Sequence, residues 1–297
     1  MRQGSAFDTV AVIDWSGGGD RGSRPCADAI WAGCVRDGRA DAPLYLRSRA
    51  VAWDWLTTFL EGEARLNRRS LVCFDFPFAP PAGLTRALTG AEDSLALWDL
   101  LAARFDDLRE GEDRFHVAAG LNALFPGEGP FWFNGRRGDI PGLPRRKPAT
   151  LPPGLARMRK VETLAPGTFA IWQMGGQGAV GSQALTGMAF LSRLRRRLAG
   201  IRVWPFQPDE GRVLLAEVWP SLLRDDVRKR SADPALPPIR DAVQVAVLSQ
   251  ALWRMQVEET LAGALAAGGE GGGEGWILGV GAEDALRRAA RVSSCRT

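Results

Sequence analysis

The stretch Thr9-Val10-Ala11-Val12-Ile13-Asp14-Trp15-Ser16-Gly17-Gly18 decides the fold. Residues 9–13 form an apolar run of strand length that ends in a carboxylate, and the glycines after Ser16 signal a turn. An Asp therefore stands at the C-terminal edge of a strand. Working outward, residues 29–35 read as a second strand and residues 43–49, which alternate apolar with polar, as a third. Short connections between these three predict a meander. Trp53, Leu56, Phe59, Leu60 and Leu66 recur at helical spacing over 51–66, and Leu71-Val72-Cys73-Phe74-Asp75 is a fourth strand, again ending in Asp. The following Phe76-Pro77-Phe78-Ala79-Pro80-Pro81 cannot continue it, because consecutive prolines remove amide donors.

Further along, a helix is expected over about 92–105, followed at about 106–167 by an irregular insertion rich in Pro, Gly and Arg and packed over one face. Leu185, Met188, Leu191, Leu194 and Leu198 predict a helix over 181–198 with a basic last turn, where the macrodipole favours cations. Strands are expected at 201–206, 213–218 and 276–280, a long helix from about 240 to 267 and a final helix over 283–291. Residues 268–275, all Gly and Glu, read as a flexible surface loop. There is no repeat of fixed period.

The 297 residues, 45% hydrophobic and 24% charged, fit a globular chain, read here as a single α/β domain over 1–297 carrying the insertion. Against 34 acidic residues stand 38 Lys plus Arg, and a net charge of +4 is too small to demand a polyanionic partner. Only three of the basic residues are Lys, a bias that genome composition explains as readily as phosphate recognition. No window reaches the roughly 18 apolar residues of a membrane span, and Met1-Arg2-Gln3-Gly4 lacks the apolar stretch of a signal peptide. The expectation is a soluble, cytoplasmic protein without a membrane partner. Cys26, Cys34, Cys73 and Cys295 show no metal-type spacing, and His116 is the only histidine. Catalysis would have to rest mainly on carboxylates.

Four acids stand out by position: Asp14, Asp75 and Glu217 near strand ends, and Asp241 at the start of a helix. Strands sharing one sheet would let them converge. Converging carboxylates raise one another's pKa unless a cation neutralises them, and an oxygen-only set suits Mg²⁺ or Mn²⁺. Two such ions about 3.5–4 Å apart would activate water for phosphodiester hydrolysis. Each acid also has a structural reading: Asp14 and Asp75 as turn formers, Glu217 at a strand-to-helix junction before Pro220, and Asp241 as a first-turn acid on a helix dipole.

The order of elements, with acids on the first strand, the fourth strand and the last long helix, resembles the ribonuclease H-like arrangement. Val12-Ile13-Asp14-Trp15-Ser16-Gly17, Phe74-Asp75-Phe76-Pro77-Phe78, Ala216-Glu217-Val218-Trp219-Pro220-Ser221 and Arg240-Asp241-Ala242-Val243-Gln244, with Glu274-Gly275-Trp276-Ile277, resemble the DUF429 family. Its members are described as predicted ribonuclease H-like nucleases. The resemblance implies a mixed sheet flanked by helices and a metal-dependent nuclease in which Asp14 bridges the ions, Asp75 and Asp241 complete the shells and Glu217 assists. Gln244 departs from the pattern: ribonuclease H-like members commonly carry a second Asp there, three residues along the same helix face. A neutral amide lowers the charge of the site and could cost a metal.

Some similar proteins carry the label molybdopterin guanine dinucleotide synthesis. A P-loop protein would need a Gly-Lys pair on the phosphates, and no such dipeptide occurs. The turn at Ser16 and Gly17 supports an alternative, a nucleotide-binding phosphotransferase of the actin and sugar-kinase type, whose Gly-rich loop holds phosphate through backbone amides. A catalytically inactive protein is a third reading. In the insertion, Arg136-Arg137, Arg145-Arg146-Lys147, Arg157, Arg159 and Lys160 follow Phe131, Trp132 and Phe133, a mixture that suits nucleic acid or a nucleotide, or else an ordinary solvated loop. His116 reads as a packed helix residue, and Trp53, Trp98, Trp204 and Trp253 read as core.

Overall fold

The structure, a computed structural model, describes residues 6–105 and 114–291. Met1–Gly4 and Cys295 lie outside the described residues. The chain divides into two compact units, one drawn from Met1–Asp75, Leu198–Glu270 and Trp276–Thr297, the other from Phe76–Arg197 and Gly271–Gly275. In chain order the elements are β1 (Thr9–Asp14), β2 (Trp31–Arg36), β3 (Arg39–Ala40), β4 (Leu44–Tyr45), α1 (Arg49–Arg65), β5 (Ser70–Phe74), α2 (Leu84–Thr89), α3 (Ser94–Arg104) and α4 (Arg114–Asn122). They continue with α5 (Lys160–Leu164), α6 (Val180–Arg197), β6 (Ile201–Val203), β7 (Val213–Glu217), α7 (Arg224–Arg230), α8 (Arg240–Val257), α9 (Leu261–Ala266) and α10 (Glu283–Arg291).

The first unit is an α/β structure built on a mixed sheet of seven strands flanked by helices. Strand order is β3-β2-β1-β5-β7-β6, with β4 also paired to β2. Every residue of β1 is buried, as expected for a central strand that carries helices on both faces and so reads as one apolar run. β1 runs antiparallel to β2 and parallel to β5, and β7 runs parallel to both β5 and β6.

Register assigns the two faces. Thr9 pairs with Arg36, and both reach Glu63 of α1: the Thr9 hydroxyl donates to Glu63 Oε2 at 2.5 Å and Arg36 Nε lies 3.4 Å from Glu63 Oε1. This buried carboxylate is thus partnered, as burial requires. The opposite face carries Val12, Asp14 and Gly33, and α8 packs over it. Gly33 permits that contact, since a Cβ there would stand 2.4 Å from the carbonyl oxygen of Val245 on α8.

In the second unit α3 packs against α6, and Phe76 lies over Gly187 of α6, where a Cβ would meet the ring at 2.3 Å. The insertion expected at 106–167 is part of this larger unit; it contains α4, anticipated only in the helical reading of His116, and α5, which was not foreseen. Two of its basic residues are structural: Arg159, 1% exposed, pairs with Glu162 at 2.8 Å, and Arg145 donates to Asp139 and to the carbonyls of Arg136 and Arg137.

Several expectations are corrected. The third strand shrinks to Leu44–Tyr45 because α1 already starts at Arg49. The helix expected over 240–267 is two helices, α8 and α9, separated where Glu259 takes a positive φ of 59°. Residues 276–280 form no strand; only an isolated parallel bridge joins Ile277 to Glu217. Within 268–275, read as a flexible loop, the chain is a 3-10 segment over Ala267–Glu274, and the Glu274 carboxylate accepts from the backbone N–H groups of Ala82 and Lys160. His116 is helical but on an exposed face, and Trp53 and Trp253 are half-buried whereas Trp98 and Trp204 are core. Among the described residues no helix is long and apolar enough to cross a membrane.

Gly33→Val should destabilise the protein by about 2–3 kcal/mol, because the added side chain must push α8 off the sheet. Urea unfolding of the variant beside the parent checks this.

Candidate active site

The parallel register that joins Ile13 to Phe74 brings the next residues, Asp14 and Asp75, to adjacent strand ends on one face of the sheet. Trp15 fastens the two ends together. Its backbone N–H donates to Asp75 Oδ1 at 2.6 Å, and its indole, 1% exposed, lies edge-on to Phe74 at 6.1 Å between centroids. Asp241 arrives on the same face because it opens α8, the helix that covers Val12 and Gly33. Its Oδ2 accepts from the backbone N–H of Asp28 at 2.8 Å.

Asp14 is only 9% exposed, and its carboxyl is held well above the ordinary range, first by burial and then by repulsion from Asp75, Asp241 and Asp28; Arg240 acts in the opposite sense. Burial is also the main cause at Asp75, whose carboxyl is pushed up to about 7; repulsion by Asp241 adds to it, and the hydrogen bond from Trp15 works against it. Asp241 is raised by burial and by Asp28, and lowered by the backbone hydrogen bond from Asp28 and by Arg240. The site is therefore a patch of carboxyls raised chiefly by burial, with neighbouring negative charge adding to it.

Glu217 does not join them. It pairs with Phe74, so strand alternation places its side chain on the face of Ile13 and Phe74, opposite Asp14. It is 3% exposed, and its backbone carbonyl accepts from Leu278 N–H. Gln244 lies one turn beyond Asp241, half-buried. Two residues were missed by sequence reading. Arg240 adjoins Asp241 and could have been noticed as its neighbour, whereas Asp28 carries no motif and enters through a left-handed backbone with φ 56°.

The turn read as a phosphate loop is internally satisfied. Ser16 Oγ donates to the Asp28 carbonyl at 2.9 Å and accepts from Gly18 N–H at 3.1 Å, and Gly17 is buried beside it. Arg49 ties the same turn to α1 through the Gly18 carbonyl, and Arg21 donates to the Asp28 carbonyl. These bonds hold Asp28 where its N–H meets Asp241. The buried thiols of Cys34, pushed up to about 12, and Cys73 are unreactive packing groups.

The donor chemistry of Asp14, Asp75 and Asp241 fits a hard divalent cation, whose charge would offset the burial and repulsion that raise the three carboxyls. As placed, no three acidic, Cys or His side chains among the described residues are gathered closely enough to hold an ion, so binding would have to draw the carboxylates together. Comparison with family models, with curated proteins and with solved structures finds no match to this chain.

A folded-state value of about 7 lies above the ordinary 3.8, so the folded chain binds more protons than the unfolded chain between those values. Its stability contribution is complete at low pH and falls as pH rises through that window. In cation-free buffer at pH 8, Asp75→Asn should therefore be more stable than the parent by on the order of 2 kcal/mol, and nearly equal to it at pH 4, since the amide oxygen still accepts from Trp15. Thermal melts at the two pH values measure the difference.

Proposed function

We propose that the first unit is a ribonuclease H-like core that hydrolyses phosphodiester bonds with a divalent cation, Mg²⁺ or Mn²⁺, held by Asp14, Asp75 and Asp241. The observation that carries the reading is the buried Asp14 carboxylate, raised first by burial and then by Asp75 and Asp241 on the same sheet face. Supporting it, a mixed sheet flanked by helices, with β2 antiparallel and β5 parallel to β1, is the kind of architecture that the resemblance to the DUF429 family implies. A soluble, cytoplasmic nucleic-acid or nucleotide hydrolase is the matching biological setting.

In this reading Asp14 holds the cation from the end of β1. Asp75 accepts from the backbone N–H of Trp15 and from its own, and Asp241 accepts from that of Asp28, bonds that hold both carboxylates in place. The cation supplies charge neutralisation and lowers the pKa of water. Hydrolysis then adds a water oxygen to phosphorus, breaks the bond to the leaving alkoxide oxygen and passes a proton to it. Asp28 replaces part of the negative charge that Gln244 withholds, and Arg240 offsets repulsion within the cluster. Protonation of Asp75 competes with cation binding, so the rate should rise between pH 5 and 8.

The phosphotransferase alternative has less support, because the Ser16 hydroxyl is committed within its own turn.

Labelled single-stranded, duplex, branched and hybrid nucleic acids should be cut in Mn²⁺, with Asp14→Asn and Asp241→Asn slower by about a hundredfold or more and Glu217→Gln far less affected. Absence of cleavage on every substrate, or an Asp14→Asn enzyme as fast as the parent, contradicts the proposal.

A further inference from the structure

The second unit contains a cavity of about 490 Å³, within the size range of small-molecule sites. Its walls combine three aromatic side chains, Trp132, Phe169 and Trp172, with two cations, Lys147 and Arg157. No acidic residue lines it. The floor is rigid: Trp132 N–H donates to the Trp172 carbonyl at 3.0 Å, Met174 N–H donates back to the Trp132 carbonyl at 2.9 Å, and the Trp172 indole N–H donates to the Arg157 carbonyl at 2.9 Å.

Phe169 is the unusual member. It is 52% exposed, a costly state for a phenyl ring, yet it does not stand loose. A Cβ on Gly178 would come within 3.1 Å of its ring, so the chain backs the ring there with a glycine. A large aromatic supported in this way, at the wall of a cavity with positive and no negative charge, is a stacking platform awaiting a flat partner. Lys147 and Arg157 are exposed, and neither forms an ion pair among the described residues.

The geometry points to a binding site for a mononucleotide, with the base stacked on Phe169 and the phosphate held by Lys147 and Arg157. This site is built from residues of the second unit alone and does not depend on the carboxylate chemistry of the first. A ring-bearing monoanion or dianion satisfies both halves of the lining at once, whereas an uncharged ring or a bare phosphate satisfies only one.

The test is titration calorimetry in EDTA with AMP, GMP, CMP and UMP, and with adenosine and inorganic phosphate as half-ligands. At least one nucleotide should bind saturably and more tightly than either half-ligand. Phe169→Ala and the double variant Lys147→Ala/Arg157→Ala should each weaken it by about tenfold or more, while circular dichroism stays unchanged. Asp14→Asn should bind like the parent, which separates this site from the proposed hydrolase. No saturable binding at millimolar nucleotide, equal binding by the pocket variants, or loss of binding in Asp14→Asn overturns the inference.

Discussion

Burial of carboxylates on one sheet face, with repulsion between them added to it, is the constraint on which the first unit turns. The parallel pairing of β1 with β5 fixes Asp14 and Asp75 at neighbouring strand ends, and α8 brings Asp241 to the same face. Each of these placements is paid for by apolar burial elsewhere in the element, not by the acids themselves. The acids are left with two compensations, backbone N–H donors from Trp15 and Asp28 and the guanidinium of Arg240. These do not cancel the cost, since all three carboxyls remain raised. A fold that gathers negative charge without matching donors is arranged for a cation or a proton.

Other features of the unit serve that placement. Gly33 lets α8 approach the sheet, which sets how far Asp241 reaches toward Asp14. The turn after β1, closed by Ser16, Arg21 and Arg49, holds Asp28 in a left-handed conformation and so presents one N–H to Asp241. On the far face Glu63 is partnered by Thr9, Arg36 and Arg68. Two buried acidic sites in one sheet thus differ in kind: one is neutralised by its neighbours, the other is not.

The central strands were legible because a strand buried on both faces needs an unbroken apolar run, and Val10 to Ile13 and Leu71 to Phe74 supply one. Long helices such as α6 were legible from their spacing. The short elements α2 and α5 were not, and α4 only at His116, because such elements are held by tertiary bonds such as the Asn122 amide bridging Phe131 and Gly142, which leave no periodic trace. At the site, Asp14, Asp75 and Asp241 could be read as strand-end and helix-start acids. Glu217 shared that signal, yet its side chain belongs to the other face, since the face depends on the register with Phe74 and register is not written in one strand. Asp28 had no signal, for its contribution is a backbone N–H in a turn.

The account rests on Asp75 holding a proton near neutrality until a cation replaces it. A pH titration of ¹³C-carboxyl aspartate signals by NMR, with and without Mg²⁺, tests this directly. In cation-free buffer one carboxyl should titrate near 7, and adding Mg²⁺ should move it down by about two units. Aspartates that all titrate near 4 without the cation, or an elevated signal that Mg²⁺ leaves unmoved, would contradict the account.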